Sequence, residues 1–170
     1  MAPISLLYGL GISIRNGLYS NGVLKGFKFN VPIISIGNLT VGGTGKSPHI
    51  EMLIRMLRPY LNIATLSRGY GRKSKGYIEI KKDHDAKIAG DEPLQFKRKF
   101  SDVLVTVAES RSLAIPKIMQ RYPQTQTILL DDAFQHLEVI PSLNILLTEH
   151  SRLFTNDYLL PSGRLREWRS

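Results

Sequence analysis

Ile33-Ile34-Ser35-Ile36-Gly37-Asn38-Leu39-Thr40-Val41-Gly42-Gly43-Thr44-Gly45-Lys46-Ser47 runs from an apolar stretch into a glycine-rich turn that ends on Lys-Ser. Residues 33–36 read as a buried strand. Beyond the turn, Ile50, Leu53, Ile54 and Leu57 recur at i, i+3, i+4 and i+7, the spacing of an amphipathic helix. Strand, glycine turn, Lys-Ser and helix together predict a phosphate-binding loop. Gly42, Gly43 and Gly45 let the backbone wrap an anion closely and turn N–H groups inward. The helix N-terminus adds partial positive charge, and Pro48 suits its first turn, where a missing N–H costs little. Thr40, Val41, Gly42, Gly43, Thr44, Gly45, Lys46 and Ser47 are therefore expected to hold the phosphates of ATP. Lys46 reaches the β- and γ-phosphates, and the Ser47 hydroxyl ligates Mg²⁺. One position departs from the usual spacing: Thr40 stands where a glycine precedes the Gly-Lys pair by five residues.

Working outward, apolar runs at 63–66, 77–80, 103–107, 127–130 and 143–147 predict further strands. Helices are expected over 48–57, 92–100 and 110–121, with a kink at Pro116. The alternation implies an α/β fold with a mostly parallel sheet flanked by helices, of the P-loop NTPase type. In such sheets ligands bind beyond the carboxyl ends of the strands. Those positions carry Arg68-Gly-Tyr-Gly-Arg72 and Asp131-Asp132-Ala-Phe-Gln135-His136. Acids that end an apolar strand suit the second contact of a phosphate-bound Mg²⁺, so Asp131 and Asp132 join Ser47 as expected metal-side groups. Asp91 and Glu92 read three ways: a general base for a hydroxyl, a further metal contact, or acids at a helix N-terminus with Asp91 as the cap. Arg68, Arg72, Lys73 and Lys75 suit a phosphorylated substrate, a nucleic-acid patch or a solvated loop. His49, His84 and His150 have no metal-ligand spacing. His136 sits beside the acids, where a structural hydrogen bond is as good a reading.

The chain has 170 residues, 42% hydrophobic and 22% charged, enough for one α/β domain with a substantial core. It has no cysteine, which excludes disulfides and thiolate metal sites. A net charge of +9 points to an anionic partner: a nucleotide, a phosphorylated substrate, nucleic acid or an acidic membrane. RNA-binding, zinc-finger and helix-turn-helix signatures are missing, which argues against nucleic acid. Residues 1–28 form a separate apolar segment before the nucleotide-binding domain at 29–170. Ile4, Leu6, Leu7, Tyr8, Leu10, Ile12 and Ile14 crowd its start, and Arg15 stops the run short of a membrane span. The segment lacks a basic start and a cleavage site, unlike a signal peptide. It reads either as a helix in a membrane interface, followed by Lys25 and Lys28, or as a helix packed on the domain. Gly9, Gly11 and Gly17 weaken the helical expectation.

In combination these motifs resemble the tetraacyldisaccharide 4′-kinases, the lipid A 4′-kinases of Gram-negative bacteria. The resembling stretches are 31–48, Leu66-Ser-Arg-Gly-Tyr-Gly71, Gly90-Asp-Glu-Pro93, Asp131-Asp-Ala-Phe-Gln-His136 and Leu159-Leu-Pro-Ser-Gly-Arg-Leu-Arg-Glu167. The family also accounts for Thr40. The resemblance implies transfer of the ATP γ-phosphate to the 4′-hydroxyl of a tetraacyldisaccharide 1-phosphate, giving lipid IVA in lipid A biosynthesis. It implies ATP and Mg²⁺, a lipid A precursor as acceptor, and a peripheral place on the cytoplasmic face of the inner membrane; no protein partner is inferred. It makes Asp91 the base and Lys46 the phosphate-side catalytic cation. Asp131, Asp132, Ser47 and Glu92 become metal-side groups, and Arg68, Arg72, Lys75, Gln135 and His136 substrate contacts. Three departures stand out: Ala133 where the family has glycine, Trp168 where it has proline, and about half the family's length. The last implies an amino-terminal half, with a nucleotide-binding module lacking kinase activity as the alternative.

Overall fold

Six apolar runs become strands: β1 (Ile33–Asn38), β2 (Ile63–Ser67), β3 (Ile78–Glu79), β4 (Leu104–Val107), β5 (Thr127–Asp131) and β6 (Leu143–Leu147). Among the described residues five α-helices accompany them: α1 (Ala2–Ser20), α2 (Lys46–Leu57), α3 (Ala86–Ala89), α4 (Asp91–Lys99) and α5 (Arg111–Arg121). The structure is a computed structural model that describes residues 2–42 and 44–168. The strands pair in the order β3-β4-β2-β5-β1-β6. All neighbours are parallel except β3, which closes one edge antiparallel to β4.

Every residue of β2 and β5 is buried, as befits parallel strands covered by helices on both faces. Alternation divides their side chains. Ile36, Val105, Val107 and Leu129 meet Ile50 and Ile54 of α2 and Leu94 and Phe96 of α4. Ile33, Ala64, Leu66, Ile128 and Leu130 meet Ala114, Ile115 and Ile118 of α5 on the other side. Ile50 and Ile54 are fully buried, and each contributes roughly 1.5–3 kcal/mol. They anchor α2, and with it the loop that α2 terminates. α5 passes undivided through Pro116, whose exposed ring leaves the core contacts of its neighbours intact. α3 was not legible in advance. It is one turn, capped by the Asp85 carboxylate, which accepts from the Ile88 N–H at 3.0 Å.

α1 lies against the chain's last described segment. Ile12 packs with Leu39, Leu159 and Leu165. Gly9 is required for close approach: a Cβ there would stand 2.5 Å from Trp168 Cζ2 and 2.9 Å from Leu159 Cδ1. The glycine that weakened the helical expectation is thus the docking point. Ser13 and Gly9 accept from the Trp168 indole N–H, and Glu167 forms an ion pair with Arg15. The opposite face leaves Ile4, Leu6, Leu7, Leu10 and Ile14 exposed. Among the described residues no helix is long and apolar enough to cross a membrane.

Gly37 makes a second close approach, where β1 passes the turn after β5. A Cβ on Gly37 would fall 2.6 Å from Phe134 Cβ and 2.9 Å from Phe134 N. Backbone this close cannot be relieved by a rotamer change. Gly37→Ala is expected to lower stability by about 1–3 kcal/mol, as overpacking does. Urea unfolding of parent and variant measures it; an unchanged midpoint would show that the two segments separate freely.

Candidate functional site

β1 ends at Asn38, and the chain turns through Gly42 (φ 123°) and Gly45 (φ 77°) before α2 begins at Lys46. These positive φ values are open to glycine at little cost. Gly43 lies outside the described residues. His49 braces the turn: its backbone N–H donates to the Gly45 carbonyl at 3.3 Å, and its Nδ1 lies 2.7 Å from the same oxygen. Val41, Gly42, Thr44, Gly45, Lys46 and Ser47 line a cavity of about 630 Å³. Thr40 does not line it; its backbone bridges antiparallel to Leu165.

Lys46 folds back toward the end of the sheet. Its Nζ lies 3.2 Å from Asn38 Oδ1 and 3.6 Å from Asp132 Oδ1. Arg166 joins the same acceptors. Its Nη2 donates to Asn38 Oδ1 and, at 3.0 Å, to Asp132 Oδ1, while Nη1 donates to Asp132 Oδ2 at 3.3 Å. Backbone pairing presents this arginine: the Arg166 N–H donates to Leu39 O at 2.7 Å, and the Val41 N–H to Arg164 O at 2.8 Å. Sequence reasoning assigned Arg166 no role. It lies over a hundred residues from the loop, and only its place in the Leu159–Glu167 motif marked it.

The two consecutive acids have opposite surroundings, because Asp132 takes a left-handed backbone (φ 48°) and reverses the chain between them. Ala133, in contrast, is not among the residues with positive φ, so its Cβ is accommodated. For Asp132, burial is outweighed by the Arg166 fork and Lys46, which hold it below the ordinary carboxylate range. Asp131 is 2% exposed and its Oδ1 has no partner. Burial first, then the charges of Glu92 and Asp132, push it up to about 7.

Glu92, in the first turn of α4, accepts a hydrogen bond from the Ser47 hydroxyl. Asp91 precedes it, exposed, with no hydrogen bond or ion pair among the described residues. The helix cap is Gly90 (φ 82°), so Asp91 does not fill the capping role that the sequence left open. Among the described residues no three His, Cys, Asp or Glu side chains converge on a cation. Mg²⁺ on a nucleotide keeps several waters and takes phosphate oxygens, so it needs only one or two protein groups. The Ser47 hydroxyl and the unpartnered Asp131 oxygen suit that requirement.

A second cleft, of about 650 Å³, opens on the other side of these acids. α1 supplies one wall through Leu7, Tyr8, Ile12 and Arg15; Arg68, Arg111, Asp131, Gln135 and His136 supply much of the rest. Gln135 is fixed by donating to Asn38 O at 2.8 Å. Tyr70, Glu92, Asp132 and Arg166 border both cavities. Of the basic loop, only Arg68 reaches the cleft. The Arg72 guanidinium is spent on Glu109 at 2.5 Å and Gly76 O at 3.0 Å, which closes the loop on itself. Lys75 is exposed and lines neither cavity. Asp91 lines neither cavity either.

The family described as tetraacyldisaccharide-1-P 4′-kinase (LpxK) matches residues 1–170. The chain is 52% identical over 166 residues to the tetraacyldisaccharide 4′-kinase of Bacteroides fragilis, covering 97% of this chain and 44% of that protein. It is 51% identical over 168 residues to the enzyme of the same name from Flavobacterium psychrophilum, covering 99% and 49%. A crystal structure of the "apo" form of LpxK from Aquifex aeolicus in complex with ATP superposes with a TM-score of 0.89 at 38% identity, covering 98% of this chain and 53% of that one. The chain spans about half the length of the curated relatives it matches. It belongs to the tetraacyldisaccharide-1-P 4′-kinase family.

The Asp131 geometry has a measurable consequence in the metal-free chain. Its folded-state value of about 7 lies above the ordinary 3.8, so the folded state holds this proton more tightly than the unfolded one. The stability it contributes is complete below about pH 4 and is lost as pH rises through about 7. Asp131→Asn cannot ionise. The variant is expected to match the parent near pH 4 and exceed it by up to about 4 kcal/mol above pH 7. Thermal unfolding across pH 4–8 without divalent metal reads the difference; a constant offset would place Asp131 in a polar, well-solvated setting.

Proposed function

We propose that this member of the tetraacyldisaccharide-1-P 4′-kinase family moves the γ-phosphate of ATP to the 4′-hydroxyl of a tetraacyldisaccharide 1-phosphate. The observation that carries this reading is the shared border of the two cavities. The glycine-rich loop lines one, and Glu92, Asp132 and Arg166 beside it also line the other. A donor phosphate on the loop and an acceptor hydroxyl in the cleft would meet there.

Lys46 and Arg166 hold and neutralise the terminal phosphate, where charge spreads over its oxygens during transfer. Asn38 positions both cations through one amide oxygen. Bound Mg²⁺ would neutralise the β- and γ-phosphate oxygens, with Ser47 and the acids Asp131, Asp132 and Glu92 on its side. Asp91 takes the hydroxyl proton. It is an unpaired carboxylate beside Glu92, whereas Glu92 is engaged by Ser47 and Asp132 by Arg166 and Lys46. Gln135 and His136 face the acceptor.

Labelled-phosphate transfer from ATP to the disaccharide lipid tests the reading. Lys46→Ala is expected to abolish transfer with the fold intact. Asp91→Asn is expected to spare ATP binding and slow transfer by about 10²–10⁴-fold, the usual weight of a general base. A loss under roughly tenfold would remove Asp91 from proton transfer. Because the chain spans half the length of its relatives, a second reading is a nucleotide-binding module without transfer; ATP binding with no labelled lipid would select it.

The acceptor's sugars sit at headgroup level, so the cleft must reach a membrane surface. α1 forms one wall of the cleft and exposes Ile4, Leu6, Leu10 and Ile14 beside it. We infer that this helix lies in the interface on the cytoplasmic face of the inner membrane, with Lys25 and Lys28 adding attraction to anionic lipid. Leu6→Glu with Leu10→Glu is expected to cut sedimentation with anionic vesicles severalfold and to leave ATP affinity unchanged. High salt is expected to weaken the parent's binding only in part, since apolar burial is not screened. Equal sedimentation of parent and variant would return α1 to a purely packing role.

A further inference from the structure

We propose that α1 positions Arg166, with Arg15 and Glu167 as the pair that fixes the direction from which its guanidinium meets the phosphate side. The proposal rests on the phosphotransferase reading, in which Arg166 neutralises the terminal phosphate of ATP.

An arginine side chain has many rotamers, and it stays aimed only where its backbone and its contacts are fixed. Arg166 also shares Asn38 Oδ1 with Lys46, a like charge that pushes it away. Its backbone is held from two sides. On the sheet side, the Arg166 N–H donates to Leu39 O at 2.7 Å. On the other side, the Arg166 carbonyl accepts from the Tyr8 hydroxyl of α1 at 3.1 Å. The next two residues engage the same helix. Glu167 is 8% exposed; it forms an ion pair with Arg15 and accepts from Asn16 Nδ2 at 3.3 Å. The Trp168 indole N–H donates to Gly9 O at 3.2 Å and to Ser13 Oγ at 3.0 Å. Three consecutive residues, 166–168, are thus each tied to α1.

The turn before Arg166 has its own closure. The Asp157 carboxylate accepts from the Tyr158 N–H at 2.8 Å and the Arg164 N–H at 3.2 Å, and the Leu165 N–H donates to Tyr158 O at 2.9 Å. Loss of the Arg15–Glu167 pair therefore leaves that turn standing and acts on the residues beyond it, where Arg166 lies. The pair also keeps charges apart. Arg15 and Arg166 both line the cleft, yet each has its own acid: Glu167 answers Arg15, and Asp132 answers Arg166. A nearly buried carboxylate left without its cation is costly, and the segment that yields to relieve it is the one that carries Arg166. The helix whose outer face is placed at the lipid surface thereby sets, through its inner face, the aim of a cation beside the phosphate loop.

Titration calorimetry of the full chain with Mg-ATP and with Mg-ADP reads that aim, because only ATP carries the phosphate that Arg166 would meet. The parent is expected to prefer Mg-ATP, and Arg166→Ala to reduce the preference at least about tenfold, as loss of a charged hydrogen bond does. Arg15→Ala and Glu167→Gln are each expected to reduce it about three- to tenfold, whereas Arg15→Lys, which keeps the charge, retains most of it. In the Arg166→Ala background neither substitution is expected to reduce it further, as for residues that act through Arg166. Mg-ADP affinity checks the phosphate loop, and thermal unfolding checks the fold of each variant. Glu167→Gln keeps the side chain's size and carries the test where Arg15→Ala loosens α1. A preference lost in Arg166→Ala but unchanged in Arg15→Ala and Glu167→Gln overturns the inference and leaves the phosphotransferase reading standing. So does an undiminished loss in the Arg166→Ala background, since the pair would then act elsewhere. No preference in the parent, or one that survives Arg166→Ala, overturns the inference together with the phosphate-side role of Arg166.

Discussion

One amide oxygen holds the carboxyl end of this sheet together. Asn38 Oδ1 accepts from Lys46 and from Arg166, two cations that would otherwise repel each other, and Asp132 lies against both. Asn38 itself is fully buried at the end of β1. Three distant pieces of chain meet at this point: the strand before the phosphate loop, the turn after β5, and the segment that presents Arg166. Two cations meet one carboxylate at this junction, and Glu92 adds a second acid to the lining of the loop cavity, so the cations are held in place by local acceptors.

Backbone geometry makes the electrostatics possible. Gly37 lets the turn after β5 pass β1 at a distance that no side chain permits. The left-handed Asp132 then reverses direction, so two adjacent acids face different media. Asp131 is enclosed and retains its proton toward neutral pH, whereas Asp132 is ionised by its cations. Identical chemistry in the sequence becomes two distinct groups only because of this turn. The strap at 164–166 completes the arrangement by pairing with Leu39 and Val41 as an added strand would.

All six strands and the helices that sandwich them could be read from the sequence, because each strand is a short apolar run, plainest in β2 and β5, which are covered on both faces. The phosphate loop was equally legible, since its strand, glycines, Lys-Ser and helix are contiguous. What escaped reading depends on long-range contact. Arg111 looks like an ordinary helix residue until its burial is known, and Arg166 like one more surface charge. Arg72 misleads in the opposite sense: its neighbours suggest a substrate site, but Glu109, thirty-seven positions away, consumes its charge. The opposed behaviour of Asp131 and Asp132 also needed a φ value that no residue pattern records.

The charges are arranged in bands. Lys46 lines the loop cavity, Arg68, Arg111 and Asp131 line the cleft, and Glu92, Asp132 and Arg166 border both. At an effective dielectric constant of about 20, unit charges 4 Å apart interact by about 4 kcal/mol, so such a band matters over a few ångströms. An unbroken cationic surface would let a phosphorylated acceptor settle on the loop in place of the nucleotide. An acidic band repels a phosphate from the middle ground while offering oxygens to a hydrated cation. The acids thus divide the loop cavity from the cleft, and under the proposed reaction they would hold two anions apart and leave the approach to the terminal phosphate to a neutral hydroxyl.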